Sequence, residues 1–107
     1  MAFTVIFLRK AQADIDGHAA WRTANRGLDA GDRWRAGLAT KVVPALEADP
    51  QRYPQADEAI DLRIDLRVLS HGRRPNVYRI LFMINGETVY VHRIRHATQN
   101  SLSKSDL

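Results

Sequence analysis

The chain opens on Phe3-Thr-Val-Ile-Phe-Leu8, a β-branched and aromatic run too short for a helix, and this predicts a strand. From Ala11 to about Arg26 the pattern turns to helix formers without proline. Ala11, Ile15 and Ala19 share one side, His18 lies at its margin, and Gly27 is a plausible stop. The next helix is better marked. Asp29 supplies a cap, Asp32 favours the positive end of the dipole, and Trp34, Leu38, Val42, Ala45 and Leu46 recur at spacings of four and three. Pro44 falls inside that stripe, where its missing N–H predicts a kink near the last turn, and Asp49-Pro50 ends the helix. Only Gly27 and Leu28 separate the two helices, so they should fold back as an antiparallel hairpin.

Gln51 to Ala59, with Pro54 and several polar groups, reads as a loop. Leu62 to Leu69 alternates, with Leu62, Ile64, Leu66 and Val68 on one face, and predicts a half-buried strand. His71 to Asn76 reads as a turn carrying the adjacent cations Arg73 and Arg74. Val77–Ile84 and Glu87–Ile94 are β-rich runs joined by Asn85-Gly86, a preferred centre for a type I′ hairpin. That turn sets Ile84 opposite Glu87, Phe82 opposite Val89, Arg79 opposite His92 and Tyr78 opposite Arg93.

Ile84, Phe82, Ile80, Val89 and Val91 then make the cleaner apolar face, assigned to the helices, with Tyr78, Arg93 and Arg95 on that side near the open end. Met83, Leu81, Tyr90, Arg79, His92 and Ile94 make the other face. It reads either as ordinary sheet shielded by the loop after the second helix or as a recognition surface. A slip of one residue would exchange the faces. The tail, His96 to Leu107, is polar and reads as flexible. The expected fold is α+β in the order β-α-α-β-β-β. One antiparallel four-stranded sheet carries the N-terminal helical hairpin on one face, in one domain over residues 1–107.

Composition narrows the chemistry. At 107 residues, 45% hydrophobic and 26% charged, the chain suits one folded core. Zero cysteines exclude disulfide staples, thiolate zinc sites and a cysteine nucleophile. No apolar run reaches the ~18–20 residues of a membrane span, and Met1 to Leu8 lack a signal-peptide pattern, so a cytoplasmic location is expected. The net charge of +4 is uneven. Leu62 to His96 holds seven arginines against Asp65 and Glu87, a net of +5, and the remainder holds nine basic and ten acidic groups, a net of −1. Thirteen of the sixteen basic residues are arginines, whose planar forks grip phosphate or carboxylate. There is no carboxylate pair, Gly-rich phosphate loop or Ser/His/Asp spacing. His92 and His96, about 13 Å apart along a strand, are too distant to share a metal, and no cofactor is expected.

Tyr78-Arg79-Ile80-Leu81-Phe82 through Val89-Tyr90-Val91-His92-Arg93-Ile94-Arg95-His96 resembles the C-terminal hairpin of the RelE/ParE superfamily. These are toxins of bacterial type II toxin–antitoxin modules, often labelled plasmid stabilisation proteins. Ala13-Asp14-Ile15, Leu46…Pro50…Tyr53-Pro54 and Leu66-Arg67 agree with it, and the resemblance runs from Phe3 to about Leu102. It implies one of two activities, metal-independent cleavage of mRNA on the ribosome or poisoning of DNA gyrase. It places Arg79 on a phosphate-holding arginine of the nuclease branch; if the chain is a nuclease, Arg95 and His96 are the other candidate active groups. RNA cleavage needs a base, an acid and cations on the phosphorane charge.

Several nuclease positions depart from that pattern. Ala97 and Thr98 follow His96, no tyrosine follows Tyr90, and the middle strand has Arg63 and Arg67 but no lysine. The departures favour a ParE-like toxin that acts through gyrase and is not an enzyme. A RelE-like nuclease and a non-toxic antitoxin-binding scaffold are the alternatives. The resemblance further implies a cognate antitoxin with an acidic tail, a gyrase or ribosome/mRNA target, and no membrane. Arg63, Arg67, Arg73, Arg74, Leu81, Met83, Tyr90, His92 and Arg93 are the candidate contacts. An acidic tail can satisfy the +5 segment without nucleic acid.

Overall fold

The first β-branched run forms β1 (Thr4–Phe7), which leads straight into α1 (Arg9–Arg26), in a computed structural model that describes residues 2–107. Ala11 and Ala19 of α1 are buried and Ile15 packs beside them, as their spacing requires. Gly27, at φ 125°, turns the chain into α2 (Ala30–Gly37). The two helices approach closely at Gly31, whose N–H donates to Thr23 Oγ1 at 3.0 Å. A Cβ at Gly31 would strike the Ala19 carbonyl and the Thr23 hydroxyl. Helix propensity alone favours alanine there by about 1 kcal/mol. Gly31→Ala should nevertheless destabilise the fold by about 1–3 kcal/mol, since overpacking forces the helices apart. Urea unfolding should show a lower midpoint with an unchanged m-value.

The kink expected at Pro44 takes a specific form. Leu38–Val42 is a π-helical turn, and the Val43 N–H reaches back to the Leu38 carbonyl. Pro44 follows at once in α3 (Val43–Ala48), inside an unbroken run of right-handed helical backbone where it supplies no N–H. The wider turn accommodates the ring while Trp34, Leu38, Val42 and Leu46 all stay buried.

The segment read as a loop contains more order than its prolines suggest. A 3₁₀ turn, Pro50–Arg52, precedes a short helix, α4 (Glu58–Leu62). Arg63 ends α4 in the left-handed conformation at φ 57°, its N–H returning to the Ala59 and Ile60 carbonyls. The strand expected from Leu62 therefore begins only at Arg67, as β2 (Arg67–Arg73). Leu62, Ile64 and Leu66 imitate strand alternation, yet they come from a helix end, its reversal and the approach to the sheet.

β3 (Asn76–Asn85) and β4 (Thr88–His96) complete a sheet ordered β1-β4-β3-β2. β2, β3 and β4 are antiparallel, but β1 runs parallel to β4, so the sheet is mixed rather than wholly antiparallel. No tight turn links β1 to β4. The helices carry the chain across the sheet, and that crossover permits the parallel pairing.

The hairpin register also differs from the expected one. Asn85 pairs with Thr88, so the turn is Gly86-Glu87. Gly86, at φ 61°, takes the positive φ that a type II′ turn needs at its first central position, and Asn85 stays in the ladder. The change moves β4 by two residues and leaves the faces intact near the turn: Phe82 opposes Val91 and Met83 opposes Tyr90. A bulge at Leu81/Phe82 then inserts one extra residue on β4, so that Leu81 opposes Arg93, Ile80 opposes Ile94 and Arg79 opposes Arg95. Ile94 thereby joins the core beneath the helices with Tyr78, Ile80, Phe82, Val89 and Val91. Arg93 and Arg95 move to the face of Arg79, the reverse of the expected placement.

That second face has its own small core. Ala56, Ala59, Leu62, Leu66, Leu81 and Leu102 are buried together, with Met83 packed against them. The tail, read as flexible, thus contributes Leu102, and Lys10 Nζ donates to the Ser105 and Leu107 carbonyls at 2.8 and 3.1 Å. α4 and the tail cover Leu81 on this face, while Met83 and Tyr90 stay half-buried.

Candidate functional site

Arginine forks on a sheet can face solvent or be used internally, and here most are used internally. Arg79 donates both Nη groups to Glu58, at 2.9 and 2.6 Å. Glu58, on α4, is only 5% exposed and also accepts the Leu102 N–H at 3.1 Å. The Arg79 guanidinium, aided by that backbone N–H and opposed by burial, holds the Glu58 carboxyl at about 2. Arg93 grips Asp14 of α1 through Nε and Nη2 at 2.7 and 2.9 Å and the Asp106 carbonyl through Nη1 at 2.8 Å. The hydrogen bond to Asp14 raises the Arg93 pKa further. Arg95 donates to the Asn100 carbonyl at 2.8 Å. Arg67 donates to the Gln51 and Tyr53 carbonyls at 3.0 and 2.8 Å and pins the proline-rich segment.

These four arginines hold α1, α4, the loop and the tail to the sheet. Leu81 is fully buried, Met83 and Tyr90 are half-buried, and His92, at the bulge, is desolvated enough to lower its pKa. His96 shares a 2.7 Å hydrogen bond with Thr98 through Nδ1. Arg79, Arg95 and His96 are therefore not gathered around one open space.

Arg63, Arg73 and Arg74 remain exposed and form no ion pair among the described residues. Arg73 and Arg74 reach a cleft of about 360 Å³ where the β2–β3 turn meets the helices. Arg22, Arg33, Lys41 and His71 also line it, with Trp34 at its side, and no carboxylate is among the lining residues. Among the described residues, Arg33 alone of these has an acidic partner, Asp29 at 2.6 Å on the exposed surface. Burial, then the Lys41 charge, pushes the His71 pKa down. The indole N–H of Trp34 and the Nε–H of Arg22 are buried without a hydrogen-bond partner among the described residues.

Asn76 and Tyr78 also line a second cleft, of about 420 Å³, so the two adjoin. His18, Trp21, Pro75 and His96 form its walls. His18 Nε2 is fixed on the Ile94 carbonyl at 2.8 Å, and Tyr78 lies edge-on to His18 and His96 with centroids 5.0 and 5.2 Å apart. Trp21 is half-exposed.

The residues missed in the sequence are Arg22, Arg33, Lys41 and Glu58. The three cations lie in the segment whose net charge is −1, and only the fold sets them beside Arg73 and Arg74. Glu58 carried no signal at all, being one carboxylate in a polar segment. Trp21 did carry one, as a large aromatic off the Ala11/Ile15/Ala19 stripe. Among the described residues no group of three potential metal ligands occurs, and no helix is long and apolar enough to cross a membrane.

Residues 5–101 match the family described as the ParE toxin of type II toxin-antitoxin system, parDE. A solved structure described as a chromosomal ParDE TA system from P. aeruginosa is similar over 89% of this chain and 96% of that one. Its TM-score is 0.70 at 20% identity, a likeness of fold. No curated protein matches the sequence. The match over nearly the whole chain, on a mixed sheet with a helical hairpin across one face, makes this chain a member of the ParE toxin family of type II toxin–antitoxin systems.

Proposed function

We propose that this protein is a growth-inhibiting toxin that acts on DNA gyrase and is neutralised by a cognate antitoxin with an acidic tail. The observation that carries the reading is the internal use of Arg79 and Arg95. A nuclease of the related branch needs such cations free to meet the phosphorane charge. Here Arg79 is closed onto a buried carboxylate and Arg95 onto the tail. The family match supports the toxin role, and the exposed Arg63, Arg73 and Arg74 offer forks for acidic antitoxin side chains.

The purified toxin should inhibit gyrase supercoiling of relaxed plasmid or trap cleaved DNA, and stoichiometric antitoxin should relieve the effect. Unchanged supercoiling at high toxin concentration would overturn the gyrase target. Cleavage of mRNA on programmed ribosomes would assign the nuclease activity instead, and normal growth during expression without antitoxin would assign the scaffold role.

A further inference from the structure

We propose that the two adjoining clefts bind single-stranded nucleic acid, with backbone phosphate in the basic cleft and an unpaired base against Trp21 in the aromatic one. The proposal does not depend on the gyrase reading. It begins from the imbalance of the basic cleft, which Arg22, Lys41, Arg73 and Arg74 line without a carboxylate beside them, while Arg33 is held by Asp29. Cations that line one cleft repel one another, and an oxyanion relieves that repulsion. Arg73 and Arg74 are exposed and unpaired, so their forks are free to take phosphate oxygens. The partnerless donors Trp34 Nε1 and Arg22 Nε belong to side chains that line the same cleft.

The adjoining cleft distinguishes nucleic acid from an acidic peptide. A glutamate chain needs cations only. A nucleotide also needs a flat apolar surface beside them, and Trp21 with Pro75 provides one across the boundary that Asn76 and the buried Tyr78 mark. Trp21, 50% exposed, carries the Arg26 guanidinium over its ring at 5.7 Å and presents its remaining surface to solvent. A base inside a duplex is already stacked on both sides, so only an unpaired base can occupy this cleft.

The test is fluorescence anisotropy of a labelled oligothymidylate, about ten nucleotides long, titrated with the purified toxin over a range of salt. Binding should weaken with salt, by about 0.7 in log–log slope for each phosphate neutralised. Arg73→Ser with Arg74→Ser should reduce that slope by about 1.4. Trp21→Ala should weaken binding about tenfold and leave the slope unchanged, because stacking releases no counterions. All three side chains are exposed or half-exposed, so the fold should persist. An unchanged slope in the arginine variant would overturn the phosphate assignment, and indifference to Trp21→Ala, or equal affinity for the matching duplex, would overturn the base assignment. Displacement of the oligonucleotide by polyglutamate at equal charge concentration would mark the cleft as an acidic-peptide site and overturn the proposal.

Discussion

Glu58→Ala should lower the unfolding free energy by about 3–5 kcal/mol, the cost of stranding one member of a buried ion pair. The Arg79 side chain is 19% exposed and that of Glu58 only 4%. Removing the carboxylate leaves the Arg79 guanidinium without a partner and the buried Leu102 N–H without an acceptor. The effect should spread to the second core, because Glu58 ties α4 to β3 and to the tail at Leu102. Replacing both partners by apolar residues of similar volume should restore much of the loss, since the pair's own desolvation is then avoided. Urea denaturation of the single and double variants measures the coupling directly.

The same group makes the fold acid-sensitive in a defined window. Glu58 titrates at about 2 in the folded protein against 4.5 ordinarily. A depressed carboxylate contributes its full stability above the unfolded value, and the contribution drains away as pH falls from about 4.5 towards 2. The difference corresponds to roughly 3 kcal/mol at 1.36 kcal/mol per unit. Glu58→Gln should therefore flatten the stability profile across that window, and a profile as steep as that of the unaltered protein would refute the assignment. The consequence for function is direct. Loss of toxicity in Arg79→Ala is evidence of a catalytic arginine only if the variant is still folded, because Arg79 is a structural partner of Glu58.

Local pattern encodes periodicity and burial, and little of turn geometry or strand offset. The helical stripe from Trp34 to Leu46 was legible because burial depends on periodicity, and the π-turn at Leu38–Val42 changed the helix without moving the stripe to solvent. The alternation at Leu62, Ile64 and Leu66 misled because a left-handed reversal at Arg63 can also return apolar residues to one core. In the hairpin, Asn85 and Gly86 both tolerate positive φ, and the chain uses it only at Gly86. Neither that choice nor the Leu81/Phe82 bulge is written in the local sequence, and the bulge decides on which face Arg93 and Arg95 fall. Candidate site residues suffered most. The arginines of the sheet stand out in the charge along the chain, but four of them bind carboxylates or carbonyls inside the molecule. The exposed pair Arg73 and Arg74 instead faces helix cations distant in sequence.

Asp14→Ala should cost about 3 kcal/mol, because one carboxylate performs two tasks at the open edge of β4. The parallel ladder with β1 ends at Phe7 opposite Val91, so the backbone beyond loses its neighbour there. Asp14 of α1 replaces it: Oδ2 accepts the Ile94 N–H at 2.9 Å while both oxygens receive Arg93. The side chains of Arg93 and Asp14 are 16% and 15% exposed, so neither is freely resolvated when the other is removed. Asp14→Asn separates the two tasks. Its amide oxygen can still accept the Ile94 N–H, but the charge that holds Arg93 is gone, and about half of the loss should remain. Thermal melting should show a drop on the order of 15 °C for alanine and a smaller one for asparagine. Equal losses would mean that the charge alone matters, and no loss in either would mean that the tail contacts of Arg93 suffice. The element most exposed to the change is the end of β4. It carries His96 into the aromatic cleft and Ile94 beneath His18, so the anchor at Asp14 also sets the shape of that cleft.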